Sequence, residues 1–348
     1  MTFFSLLCAL LLEQLHPLPA NNQAWRMQHR LANWALDNLE AGKPVHGWIA
    51  WTVTVATPAL GAFLVYRLLM VAGWPLALAW NVLVLYLAVG FRQFSDPIAA
   101  IRGALERGDE IRARQLLKQW KEKETLPLTR HAIAQRVLEH TVLDVHRHLF
   151  GVTAAFVLFS MLGLGPAGAV LYRCADMAVQ CWQQRYEQAG ITASDRTLQI
   201  ARQAWQWINW LPVRMTAASF AIVGNFEQAV DNWRQMDHTE TGDEEESDPA
   251  ETMLLAVAIG AIGVPGDYGT WDPPKPSAAK SPPAQTPSST QDPTLSDDAG
   301  MEYGAGMPAV ASWRPEMPRQ PLLGRLVWRG LLLWGLLIAL VTVTHWIS

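Results

Sequence analysis

The chain has 348 residues, half of them apolar and only 17% charged, with a formal net charge of −4. That hydrophobic mass exceeds what a soluble domain usually carries, and with no basic excess or basic cluster there is no footing for nucleic-acid binding. The three cysteines, Cys8, Cys174 and Cys181, are odd in number and lack CxxC spacing, which argues against both a disulfide framework and a zinc site.

Taken in order, residues 1–13 hold a short apolar run, FFSLLCALLL, ended by Glu13. No basic segment precedes it, so it reads as a short or tilted membrane helix rather than a cleaved signal. Residues 14–47 are polar, and Arg26 to Leu39 can form an amphipathic helix with Leu31, Trp34, Leu36 and Leu39 as its apolar positions. Residues 48–91 read as a transmembrane hairpin: a span from Trp48 to Met70, a turn at Ala72-Gly73-Trp74-Pro75, and a return span from Pro75 to Phe91. Trp48, Trp51 and Trp74 fall near its boundaries, as in an aromatic belt.

Residues 92–148 are charged and helix-forming. They contain eleven Lys and Arg against three in residues 14–47, so the positive-inside rule places this region in the cytoplasm. Residues 149–264 open with an apolar run from Leu149 to Tyr172, spanning or re-entrant. Polar amphipathic helices follow at Arg173–Tyr186 and Asp195–Trp210, then two apolar segments of ambiguous length at 211–226 and 253–264. Residues 265–320 turn to Pro, Ser, Thr, Ala and Gly, too little apolar surface to offset chain entropy, and read as a flexible linker. Residues 321–348 carry the last span, Leu331 to Trp346, with Arg325 and Arg329 anchoring its cytoplasmic start. The expected fold is all-α: a polytopic helical integral membrane protein with a cytoplasmic helical loop region, in contact with membrane lipids.

No phosphate loop, dinucleotide fingerprint, HExxH or GxSxG motif is present. Three features bear on chemistry. His140, Asp144 and His148 follow one another at i, i+4 spacing, with His146 and Arg147 interleaved, directly before the apolar run. Imidazole and carboxylate so spaced can converge on a metal or a phosphate-bearing ligand; the alternatives are a solvated helix face at the membrane surface and a structural hydrogen-bond network. Gly165-Pro166-Ala167-Gly168 is either a packing kink that admits a neighbouring backbone or a break that lines a cavity. Arg214, inside the apolar segment 211–226, is a functional candidate by position or an interfacial residue. The last two features also leave a transporter open, although no inverted repeat is visible.

The run ending GPAGAVLYR at 173, the Arg185-Tyr186 pair, LPVRMTA at 211–217, AIGAIGV at 258–264 and the closing LLGRLVWRGLLLW occur in this order. In that order and in hydropathy the chain resembles the CobD/CbiB family of cobalamin-biosynthesis membrane proteins, and is similar too to AmpE, a related membrane protein linked to β-lactamase induction. The resemblance implies a multi-pass protein of the bacterial inner (cytoplasmic) membrane that joins aminopropanol or its phosphate to adenosylcobyric acid. It also implies a corrinoid ligand and, for an active ligase, a nucleoside triphosphate and Mg. Glu139 matches the first Glu of the family's ESLAENTSDG-like run, and Asp144 falls where its Asn would be. Leu143 and Arg147 occupy the later Glu and Asp positions, and CADMAVQCW stands in place of an NTLDSMVGY-like motif. The resemblance thus gives Glu139 and Asp144 as candidate catalytic groups. His140, Arg147, His148, Arg185 and Arg214 are candidate ligand-binding residues; no metal site is assigned, with His140, Asp144 and His148 the one candidate set for such a role. A non-catalytic, AmpE-like signalling role stands as the alternative to the enzyme.

Overall fold

A membrane-length apolar helix must bury its few polar groups against other helices, and that requirement organises the fold around residues 130–188. The computed structural model describes residues 2–16, 23–39, 44–90, 92–121, 130–188, 196–237, 248–263 and 319–347. Regular structure among the described residues is helical throughout, in keeping with the all-α expectation. The Pro/Ser/Thr-rich segment expected at 265–320 lies outside the described residues up to 318.

Helix α1 (Thr2–Leu15) is apolar and packs on α4 (Trp74–Val89). The polar α2 (Gln23–Leu39) buries Gln28, Ala32, Ala35 and Leu36. That face lies against α3 (Pro44–Ala72) and α9 (Ala167–Gln188). Between α3 and α4 the chain reverses at Gly73, whose φ of +152° suits glycine, and Pro75 fixes the first turn of α4. Helices α5 (Arg92–Glu106), α6 (Glu110–Lys121) and the start of α7 (Arg130–Val145) enclose a small core of their own, built from Ile101, Leu105, Leu117, Ile133 and Val137.

Helix α7 does not stop at the polar-to-apolar boundary. It passes through a single π turn, His146–Phe150, into α8 (Gly151–Met161). The unit from Gln135 to Met161 is 27 residues long and membrane-length, like Val45–Ala72 and Leu323–Leu340. The three differ in surroundings. Two-thirds (67%) of the central window is buried inside the protein, against 17% and 28% for the others, so α7–α8 is the protein-packed axis and the other two present apolar faces outward. Among the described residues, three helices are therefore long and apolar enough to cross a membrane, while Thr2–Leu15, Trp74–Val89 and Pro249–Ile262 are shorter apolar helices.

The apolar stretch 149–172 is accordingly not one span. The chain turns at Leu162–Pro166, with Gly163 and Gly165 at positive φ, and returns as α9. Gly168 faces the Ala155 carbonyl so closely that a Cβ there would collide with it. The GPAG motif is thus a reversal with close helix packing. Helix α10 (Arg196–Val223) runs unbroken through Pro212 and packs on α3, α9 and α12 (Pro249–Ile262). Helix α11 (Phe226–Asp237) pairs with α12, which Asp248 caps by accepting from the Ala250 N–H at 3.0 Å. The closing α13 (Arg319–Ile347) leans on α1 and α10. Its Trp334 donates to Ser219 Oγ at 2.7 Å.

Candidate functional site

Five helical segments converge behind the π turn. An extra residue per turn rotates the helix by about 100° relative to an unbroken α-helix. Successive helical residues also project about 100° apart, so His146, Arg147 and His148 point to different neighbours.

His146 is fully buried. Its Nε2 lies 2.9 Å from Asn209 Oδ1 and its Nδ1 lies 2.9 Å from Thr216 Oγ1, both on α10. Tyr172, on α9, donates to the same Asn209 oxygen at 2.8 Å. The Thr216 hydroxyl donates its single proton to the Pro212 carbonyl at 2.9 Å, so toward His146 Nδ1 it acts as an acceptor. Asn209 Nδ2 is left without an acceptor.

Arg147 crosses to α12 and α9. Its Nε and Nη2 both donate to Glu251 Oε1, at 3.0 and 2.5 Å, and its Nη1 stands 3.9 Å from Asp176 Oδ1. Asp176 is 2% exposed. It accepts from Arg173 Nη1 and from Gln180 Nε2, both at 2.7 Å. His148 bonds at Nδ1 to the Asp144 carbonyl at 3.0 Å and at Nε2 to Arg173 Nη2 at 2.8 Å. A carbonyl only accepts and a guanidinium only donates, so His148 is neutral with its proton on Nδ1. The Arg173 guanidinium lies 5.3 Å from the Trp25 ring of α2. His29, also on α2, is held below its ordinary pKa by burial and then by the Arg173 charge. At the far edge, burial and the neighbouring Glu251 charge push Asp248 up to about 6, and its Oδ2 has no partner.

The cluster therefore joins three of the sequence candidates, Asp144, Arg147 and His148, to groups that the sequence reading did not single out: Tyr172, Arg173, Asp176, Asn209, Thr216, Asp248 and Glu251. Asp176 lies within the segment that had stood for a lost motif. Glu251 carried one available signal, an acid in the first turn of an otherwise apolar helix. The remaining candidates lie elsewhere. His140 packs edge-on against Trp120, with ring centroids 5.9 Å apart. Glu139 accepts from Gln135 and Arg136 of its own helix. Arg185 reaches Asn33 and Asp37 and ties α9 to α2. Arg214 donates to the Trp210 carbonyl and lies 4.3 Å from that ring centroid, the arrangement of an interfacial anchor.

Among the described residues, no group of three or more His, Cys, Asp or Glu side chains is placed to hold a metal ion. Of the candidate set His140, Asp144 and His148, His140 packs on Trp120, while His148 has its Nδ1 on the Asp144 carbonyl and its Nε2 on the Arg173 guanidinium.

Comparison with known proteins places residues 6–264 in the family described as CobD/Cbib protein. The protein from Stutzerimonas stutzeri named "Cobalamin biosynthesis protein CobD" is 28% identical over 273 residues, covering 75% of this chain and 81% of that protein. A protein of the same name from Chromobacterium violaceum is 29% identical over 187 residues, covering 53% of this chain and 54% of its own length. No solved structure matches.

Proposed function

Because the chain belongs to the CobD/CbiB protein family, we propose that it acts in cobalamin biosynthesis, where an aminopropanol unit or its phosphate is joined to a corrinoid carboxylate. The observation that carries this reading is the cluster itself. Every residue in it, from Asp144 to Glu251, lies inside the family match, and it retains both acidic and basic groups although the linear acidic motif is eroded. Asp176 and Glu251 bring acidic groups to the same cluster from α9 and α12, where they pair with Arg173 and Arg147.

Amide formation joins the amine nitrogen to the carboxyl carbon, breaks one C–O bond and releases an N–H proton; the departing oxygen would leave on a phosphoryl group that a nucleoside triphosphate, the co-reactant the family resemblance implies, would have placed on the carboxylate. The chain offers a pole for each partner. The unpartnered Oδ2 of Asp248 attracts an ammonium group, and the Arg173 guanidinium, whose Nε–H has no acceptor, attracts an anionic oxygen. Burial of the cluster keeps water from competing for the acyl group. A resident Mg does not fit these residues, since Asp176 and Glu251 are already paired with arginine and no three ligands converge. The proposed location is the bacterial inner membrane, crossed more than once, with residues 92–121 in the cytoplasm.

The test is corrinoid binding to the purified protein in detergent, together with vitamin production in a deletion strain that has no second family member. Loss of production and measurable binding are expected. His148→Ala should weaken binding at least ~10-fold, whereas His140→Ala, which packs on Trp120, should leave it unchanged. Normal vitamin production in the deletion strain would overturn the reading, and an envelope or antibiotic phenotype in its place would favour the AmpE-like role.

A further inference from the structure

The two buried arginines are not equivalent. Arg147 has its side-on pair, Nε and Nη2, occupied by Glu251, and its Nη1 turned to Asp176. It is a committed structural link between the π turn and α12. Arg173 has Nη1 on Asp176 and Nη2 on the neutral His148, but its Nε–H has no acceptor, although the side chain is only 8% exposed. Leaving a buried charged donor unmatched is costly, and native proteins seldom do so without a ligand or water to fill the place. Because Nε and Nη2 form the fork that binds carboxylates side-on, the missing partner is an oxygen that reaches both.

Charge selects among oxygens. Arg147 and Arg173 are matched by Asp176 and Glu251, and Asp144 adds a further negative charge close enough to act on Arg147. A dianionic phosphate would enter a region already at or below neutrality, whereas a monoanionic carboxylate meets less repulsion. Access also fits. Trp25 is half-buried and His29 exposed on α2, so the guanidinium lies one side chain beneath the surface.

We propose that Arg173 is the carboxylate seat of this protein, with Nε–H and Nη2–H receiving a ligand carboxylate side-on. This rests on the function proposed above for the identity of the natural carboxylate, a corrinoid side chain, but the seat itself can be tested without one. The probe is sodium propionate, titrated into the full-length protein in detergent while the arginine Nε–H resonances are followed by NMR, with Arg173→Lys identifying the Arg173 signal. A saturable downfield shift of that resonance with propionate, and a weaker response to inorganic phosphate, is the expected result. No propionate-dependent shift, or a tighter response to phosphate, overturns the carboxylate seat. A second arm compares a corrinoid bearing a free side-chain carboxylate with the corresponding neutral amide. The free acid should bind at least ~10-fold more tightly to the wild type and equally to Arg173→Lys. Equal binding of both forms to the wild type overturns the seat while leaving the corrinoid reading standing. Failure of both corrinoids alongside a propionate shift overturns the corrinoid reading and leaves the seat.

Discussion

At the residue scale, the cluster behind the π turn consists of groups that are tolerable in a low-dielectric interior only because each is paired. Removing Arg147 as Arg147→Met leaves Glu251 and Asp176 short of positive charge. It should destabilise the protein in detergent by ~3–5 kcal/mol, and Arg147→Met/Glu251→Leu should recover much of that loss in thermal unfolding. Asp248 behaves in the opposite sense. Its folded pKa of about 6 lies above the ordinary 3.8, so the folded state favours the protonated form. Stability from this group is fully present below the unfolded value and is lost as pH rises through about 6. Asp248→Asn keeps the cap acceptor and removes that loss. The variant should exceed the wild type in stability at pH 8 by no more than ~3 kcal/mol and match it more closely at pH 4. A denaturation series across that range checks both the sign and the window.

At the scale of elements, the decisive features are a helix that continues across the polar-to-apolar boundary and one that ends inside a continuous apolar run. The π turn lets α7 and α8 act as one membrane-length unit while turning His146 inward and Arg147 toward α12. The glycine-rich reversal then sets α9 directly on α8. Gly168→Val places methyl groups where the Ala155 backbone and the Phe159 side chain stand. It should prevent correct α8–α9 packing, costing several times the ~1–3 kcal/mol of ordinary overpacking. Gly61→Val on α3, where a Cβ meets nothing within 4 Å, should be near-neutral in the same melting assay.

At the scale of the whole molecule, α3 and α13 present their apolar sides outward, while α7–α8 is enclosed and carries the polar groups. This is the arrangement expected when ionisable residues at membrane depth are retained for a ligand rather than exposed to lipid. The proposed topology can be read by thiol labelling in a background lacking Cys8, Cys174 and Cys181. Glu106→Cys should be shielded from a membrane-impermeant reagent on spheroplasts, and Val71→Cys, 89% exposed beside the α3–α4 turn, should react. The reverse pattern would invert the orientation.

Hydropathy and turn chemistry are local properties, so the sequence by itself determined the helical class, the reversal at Gly73-Trp74-Pro75 and the family resemblance through GPAGAVLYR and LPVRMTA. Charge asymmetry added an orientation. The site was legible only in part, because i, i+4 spacing assumes an unbroken α-helix. Asp144, Arg147 and His148 stand out in the sequence, but the π turn and the partners each side chain meets on other helices do not. Asp176, Asn209 and Glu251 lie up to about a hundred residues from Arg147 along the chain, and no local pattern links them. Their meeting depends on α9, α10 and α12 packing round one buried axis. That pairing of Arg147 and Arg173 with acids from distant stretches is visible only in the tertiary structure, because compensation of buried charge is a requirement of space and not of sequence order.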